Sequence, residues 1–218
     1  MLTSVDGRDG LNNEDVRFTY SIDHGNTFAE PVEVQRPGDR GYYSAPAISP
    51  DGANVWLVYN AWLEDFKDSA EGPDNDRPLA GVVLHAYWSG AEPGAFTGVH
   101  AGESGDARGS SQNDLAAEFL GDYIYAAATN TYGAAVWNDV RNAADCPAVV
   151  EYRQELHEEA VATGTQTAEP EEPRGDEERM HAPKEEEDEE PAPPVQQVCE
   201  PNFGNSDIYG RSYANPAQ

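Results

Sequence analysis

The octet Ser21-Ile22-Asp23-His24-Gly25-Asn26-Thr27-Phe28 limits what this chain can become more than any other stretch. It lies between two alternating runs, Val16-Arg17-Phe18-Thr19-Tyr20 before it and Pro31-Val32-Glu33-Val34 after it. Alternation of apolar and polar residues on both sides of a Gly- and Asn-containing turn describes a β-hairpin. The turn chemistry sets the details. The Asp23 carboxylate can fold back onto backbone N–H groups, Gly25 can take a positive φ, and Thr27 adds a second side-chain-to-backbone bond. Phe28 is then expected to re-enter the apolar layer and pin the hairpin to a neighbouring sheet.

Further strands follow. Residues 44–49, the Pro50-Asp51-Gly52 turn and residues 55–62 make one pair. Residues 119–127, the turn at 130–133 and residues 134–139 make another, and each pair ends in a Trp-bearing strand before a long polar loop. Residues 82–88 read as a single strand, and residues 206–213 resume the pattern near the C-terminus. Recurring strand sets point to an all-β repeat architecture.

The octet resembles the Asp-box, the bacterial neuraminidase repeat of sialidase-type β-propellers (Ser-x-Asp-x-Gly-x-Thr-Phe/Trp), at Ser21, Asp23, Gly25, Thr27 and Phe28. Residues 89–96 stand where a second, degenerate box would fall, without its Asp and Thr. The resemblance implies radially arranged four-stranded antiparallel blades. In that family the box is a structural turn on the face away from the active site, so it informs fold rather than activity. Counted this way, the chain is a partial sialidase-like β-propeller of about two and a half blades. It holds the last two strands of one blade, one full blade and the first three strands of another. Residues 1–15 read as a flexible N-terminal segment, 16–154 as the blades, and 201–218 as the final strand and tail. So few blades cannot close a ring and would leave apolar faces bare. The expectation is therefore a C-terminal piece whose partner is the missing N-terminal blades of the same propeller.

Residues 155–200 break the pattern with 16 acidic and 3 basic residues and several proline clusters. Such a composition buries too little apolar surface to offset an ordering cost of roughly 1–2 kcal/mol per residue, and it reads as a disordered acidic insertion. Residues 151–162 have the composition for one short helix before it.

Over the 218 residues, 41 acidic against 13 basic side chains give a formal charge of −28. A field of that sign repels nucleic acid and anionic membranes, so neither is expected as a partner. No run approaches the roughly 20 apolar residues of a membrane span, and no signal peptide is present in this chain. The two cysteines, Cys146 and Cys199, bracket the acidic insertion. A disulfide would tie off that insertion and place the protein outside the cytosol, at the cell surface or beyond. Two unpaired buried thiols are the alternative.

Propeller geometry puts the loops opposite the box on the ligand-binding side. That face would carry Arg40, Tyr42, Tyr43, the 63–78 loop, the 101–118 connector and residues 139–142. Sialidases hold a sugar carboxylate with three arginines and use a Tyr nucleophile with an Asp acid/base. The resemblance thus implies substrate-binding roles for Arg40, Arg108, Arg141 and Asp207. It implies catalytic roles for Asp122 and Asp139, with Tyr123 or Tyr209 as nucleophile. A simple Asp139–Arg141 pair bracing a loop is the competing reading. Trp56, Trp62, Trp88 and Trp137 read as core between sheets. The scattered histidines form no metal-ligand spacing, and no metal or cofactor is expected; Asp74-Asn75-Asp76 lacks the rest of a calcium loop. The function that follows is glycan binding or sialic-acid-type glycoside hydrolysis, with a non-catalytic interaction scaffold as the alternative. Three arginines converging on one carboxylate would favour the enzyme, and arginines pointing apart would favour the scaffold.

Overall fold

The computed structural model describes residues 1–8, 13–65, 76–89, 92–110, 120, 123–144, 146–163 and 198–217. Its strands are β1 (Leu2–Asp6), β2 (Asp15–Thr19), β3 (Val32–Glu33), β4 (Arg40–Ile48), β5 (Asn54–Trp62), β6 (Pro78–Tyr87), β7 (Thr97–Ala101), β8 (Gly105–Asp106), β9 (Tyr125–Ala128), β10 (Tyr132–Asp139) and β11 (Asp207–Ala214). They form three antiparallel sheets, ordered β1-β2-β3, β4-β5-β6-β7 and β9-β10-β11, none closed on itself. β8 continues the β7 row, pairing with Pro78 and Leu79 at the start of β6.

The middle sheet explains the stacking. β5 and β6 are buried at nearly every position, so both faces must be covered. Strand alternation divides their side chains in two. Val55, Leu57, Tyr59, Val82 and Leu84 pack against Val16 and Phe18 of the first sheet. Trp56, Val58 and Val83 pack against Ile124, Ala135 and Trp137 of the third. Each such aliphatic side chain, fully buried, contributes about 1.5–3 kcal/mol.

Close approach is secured by glycines. A Cβ on Gly81 of β6 would lie 2.1 Å from Cδ1 of Trp137, and one on Gly133 of β10 would lie 2.2 Å from Cδ2 of Trp56. Each of these two sheets therefore inserts an indole into a glycine socket of the other. Trp56 and Trp137 are the inter-sheet core that the sequence leads one to expect, at 1% and 2% exposure.

The Ser21–Phe28 turn forms around Asp23 as expected, except that the Thr27 hydroxyl bonds the Asp23 carboxylate rather than the backbone. Thr27 N–H donates to Asp23 Oδ1 at 2.9 Å, Thr27 Oγ1 to Oδ2 at 2.7 Å and Ser21 Oγ to Oδ1 at 2.7 Å. Gly25 takes φ 86°, and His24 is also left-handed at 61°. Three hydrogen bonds to an anion hold the Asp23 carboxyl down at about 2, with the Thr27 hydroxyl the largest cause. Phe28 departs from expectation. It is 47% exposed, because the Ala29 N–H closes the hairpin on Tyr20 O one residue later and turns Phe28 outward.

Three other expectations are corrected. Leu2–Asp6, read as flexible, is a strand in full register with β2, giving the first sheet three strands rather than two. The strand expected at 119–127 is the shorter Tyr125–Ala128; residues 119, 121 and 122 lie outside the described residues. The short helix expected at 151–162 forms as α1 (Pro147–Thr163), so residues 155–163, read as the start of the disordered insertion, are helical instead; residues 164–197 lie outside the described residues. Proline suits the first helical position, Glu, Gln, Leu and Ala favour helix, and the buried Val149 fixes the helix to the body. Of the two readings of the cysteines, the disulfide is found: Cys146 and Cys199 are bonded, with Cα atoms 5.2 Å apart.

Candidate functional site

The hairpin turns define two rims. One holds the Ser21–Phe28 turn, the Pro50-Asp51-Gly52 turn and the β9–β10 turn, where Asn130 Oδ1 accepts the Asp51 N–H at 3.1 Å. The opposite rim gathers the 35–40 connector, the end of β5, the start of β6 and the end of β10. Gln35 knits it together, accepting from Val16 N and Gly41 N at 3.0 Å each and donating to Asp15 Oδ1 and Asp39 O. Asn60 Nδ2 donates to Asn138 O at 2.8 Å, tying in the third sheet. Asp23 and Arg141 thus lie on opposite rims.

Of the residues singled out in the last sheet, four come together. Asp139 and Asp207 are cross-strand partners, and Trp137 opposes Tyr209. The Arg141 guanidinium lies 4.2 Å over the Tyr209 ring, whose hydroxyl accepts from Asn142 Nδ2 at 2.9 Å. Arg141 grips Asp139 three ways, through its backbone N–H, Nε and Nη2 at 3.0, 2.7 and 2.6 Å. Burial raises the Asp139 carboxyl, but these bonds and one from Trp137 Nε1 outweigh it and hold the group below its ordinary range. The same hydrogen bonds raise the Arg141 guanidinium. Tyr123 is 66% exposed, and Asp122 lies outside the described residues.

The three arginines do not form one clamp. Arg108, 3% exposed, is bidentate to Asp106, with Nε and Nη2 at 2.8 and 2.6 Å from Oδ2. Arg40 pairs with Asp65 and donates to Gly38 O. Each guanidinium thus holds a carboxylate of this chain. The underlying unit is an Asp-x-Arg clip at a strand end, present at Asp6–Arg8, Asp106–Arg108 and Asp139–Arg141. In all three the Arg backbone N–H also donates to the Asp side chain two residues back. The signal was in the sequence as a repeated spacing at the ends of predicted or observed strands.

An aromatic shelf lies on the same rim. Successive strand side chains normally face opposite ways, so Tyr42 and Tyr43 should diverge. A bulge between Tyr42 and Ser44 with Tyr43 at φ 47° brings their ring centroids to 4.2 Å instead. A non-glycine residue in that region costs about 1–2 kcal/mol. Trp62 adds a third ring 6.1 Å from Tyr42, and its register partner is Arg40. Trp62, read from the sequence as core, packs on Leu79 and Val140 with one side and borders this shelf with the other.

Among the described residues, no group of three acidic, His or Cys side chains is placed to hold a metal ion, and no helix is long and apolar enough to cross a membrane. Residues 74 and 75 lie outside the described residues. The chain matches no family model, no curated protein and no solved structure.

Proposed function

We propose that the chain is a sialidase-like propeller unit, built on an Asp-box, that binds glycans on the rim opposite the box without hydrolysing them. The observation that carries the reading is the Tyr42–Tyr43 bulge beside Trp62 and Arg40. Bulges re-aim side chains, and strained backbone persists where the surroundings hold it for a use. Flat rings stack on the apolar faces of sugars, and the Arg40–Asp65 pair beside them offers donors and acceptors for hydroxyls.

Binding rather than turnover is favoured by the clips. An acid catalyst needs a raised pKa, whereas Asp139 is held low by Arg141; Asp122, the other candidate acid, lies outside the described residues. The Asp139–Arg141 and Asp106–Arg108 pairs keep two of the three arginines occupied, as a scaffold would.

Face-to-face stacking of antiparallel sheets supports the propeller reading. The outer faces of the first and third sheets leave Leu2, Tyr125, Tyr132 and Ile208 exposed, which suits further blades packing there. The disulfide supports a location outside the cytosol.

The test is calorimetry with sialylated and neutral oligosaccharides selected on a glycan array. Tyr42→Ala should weaken the best ligand at least about tenfold with circular dichroism unchanged. A fluorogenic sialoside should not be turned over. Saturable binding that ignores Tyr42→Ala, or no binding to any glycan, refutes the site; turnover of the sialoside refutes the non-catalytic reading.

A further inference from the structure

A cavity of about 560 Å³ lies between the two strands of the Ser21–Phe28 hairpin in the first sheet and the turn that precedes β7 in the second, reaching Gln35 at its far end but not the Tyr42–Tyr43 shelf. Its size is that of small-molecule sites, roughly 300–1,000 Å³. Tyr20 and Phe96 furnish aromatic walls above Phe18, which is buried at 1% exposure: Phe18 and Phe96 meet edge to face at 5.1 Å, and Tyr20 packs edge to face on Trp88 at 4.8 Å behind it. The mouth carries Glu30 and Glu92, both exposed; Glu33 also borders the cavity, but as the cross-strand partner of Arg17 it sits on the outer face of the sheet, and among the described residues no lysine or arginine lines the cavity.

The carboxylates are not neutralised from within. None of the three is in an ion pair with a described residue. Arg17, the cross-strand partner of Glu33, is held instead by Asp6 at 2.7 Å and Asp15 at 3.3 Å. Arg36, next along the chain from Gln35, is bidentate to Asp39. The walls are preset by backbone that is itself braced. The Ala29 N–H bonds Tyr20 O at 2.9 Å directly before Glu30, and the Gly94 N–H bonds Tyr87 O at 2.7 Å directly after Glu92 and Pro93.

We propose that this cavity binds a small organic cation with an apolar body, an aryl or quaternary ammonium. Aromatic walls alone would take any apolar molecule, and exposed carboxylates alone would take any cation. Only a ligand that sheds water readily from its charged end can satisfy both. A quaternary ammonium does so: its methyl groups meet the rings through cation–π attraction, and its diffuse charge lies beside the Glu30 and Glu92 carboxylates, with Glu33 adding to the negative field from the edge of the same strand pair. A compact primary ammonium or a metal ion stays hydrated and leaves the aromatic walls unused. The site is independent of the glycan reading and would survive its failure.

The probe is benzyltrimethylammonium, with benzyl alcohol as the uncharged aryl control, titrated into the full chain and followed by amide NMR shifts. Saturable shifts are expected around Tyr20, Glu30 and Phe96, with the cation binding at least about tenfold more tightly than the alcohol. The triple variant E30Q/E33Q/E92Q should weaken the cation at least about tenfold. A charge-matched control on α1, E151Q/E155Q/E158Q, should weaken it less than about twofold, because those charges are distant and screened. Equal losses in the two triple variants would mean attraction to net charge and would overturn the site. No saturation by about 20 mM, or shifts centred elsewhere, would also overturn it. Should the cavity variant fail to fold, the cation-to-alcohol ratio on the unaltered chain decides alone, equal affinities overturning the proposal.

Discussion

The glycine sockets between the second and third sheets invite a quantitative test. In Gly81→Ala, the new Cβ would stand 2.1 Å from Cδ1 and 2.2 Å from Cγ of Trp137. Carbon atoms rest at about 3.5–4.0 Å, so the indole must retreat by about 1.5 Å. It has little room, since Trp137 is 2% exposed within the inter-sheet core. Overpacking of this kind costs about 1–3 kcal/mol. Retreat also takes Trp137 Nε1 away from Asp139 Oδ2, now 3.1 Å distant. A hydrogen bond to a charged group contributes about 1.5–3 kcal/mol. Together the expected loss is about 3–5 kcal/mol, a large share of the about 5–15 kcal/mol that holds an ordinary domain folded. Urea unfolding followed by far-UV circular dichroism measures it without relying on indole fluorescence. The decisive variant is the double Gly81→Ala/Trp137→Leu, which removes the ring that the methyl strikes. Its loss of stability should fall short of the sum of the single losses by at least about 1 kcal/mol. A Gly81→Ala loss under about 0.5 kcal/mol, or strict additivity in the double variant, would refute the interlock.

Other consequences are as direct. Reducing Cys146–Cys199, which closes a separation of 53 residues, should lower stability by about 4 kcal/mol on the chain-entropy account, seen as a fall in Tm on adding a reductant. Asp139→Ala leaves the partly buried Arg141 only the more distant Glu103 at 3.8 Å and strips the buried Trp137 Nε1–H of its acceptor, and should cost about 3 kcal/mol in denaturant unfolding, whereas Asp65→Ala, at an exposed partner of Arg40, should cost less than about 1 kcal/mol. Asp23 titrates at about 2 when folded, below its ordinary 3.8, so its support for the hairpin is present above that ordinary value and is lost as pH falls through about 2; carboxyl-carbon NMR gives the midpoint, and a value near 3.8 would contradict the hydrogen-bonded turn. Asp139 and Asp106 carry the same sign: both are depressed, so acid weakens the strand-end clips, and replacing either Asp with Asn should flatten the stability curve on the acid side.

Local chemistry was what the sequence displayed most plainly. The Asp23 bonds, the positive φ of Gly25 and the paired strands around residues 44–62 follow from residue types within a few positions of one another. Phe28 was misjudged because its direction depends on where the hairpin closes, which Ala29 and Tyr20 decide through backbone groups that no side chain advertises. β1 was missed because Leu2-Thr3-Ser4-Val5-Asp6 is too short and polar to announce itself, and it is ordered by pairing with β2 rather than by its own propensity. Gly81 and Gly133 were unreadable for a different reason, since a socket is defined by the tryptophan opposite, 56 and 77 positions away. The rim was half legible. Arg40, Tyr42 and Tyr43 were placed there and the Asp139–Arg141 pair was one of the two readings weighed, but the bulge that sets the two rings side by side and the Asp partners of Arg40 and Arg108 emerged only in three dimensions.

The closure between Cys146 and Cys199 has a corollary. With its Cα atoms only 5.2 Å apart, the two ends of the segment they bracket meet at what is nearly a single point. The register of β10 against β11, from Tyr132↔Ala214 to Asp139↔Asp207, is fixed by ladder bonds outside that segment. The alignment of the last sheet is thus set independently of the length of chain that runs between the two cysteines.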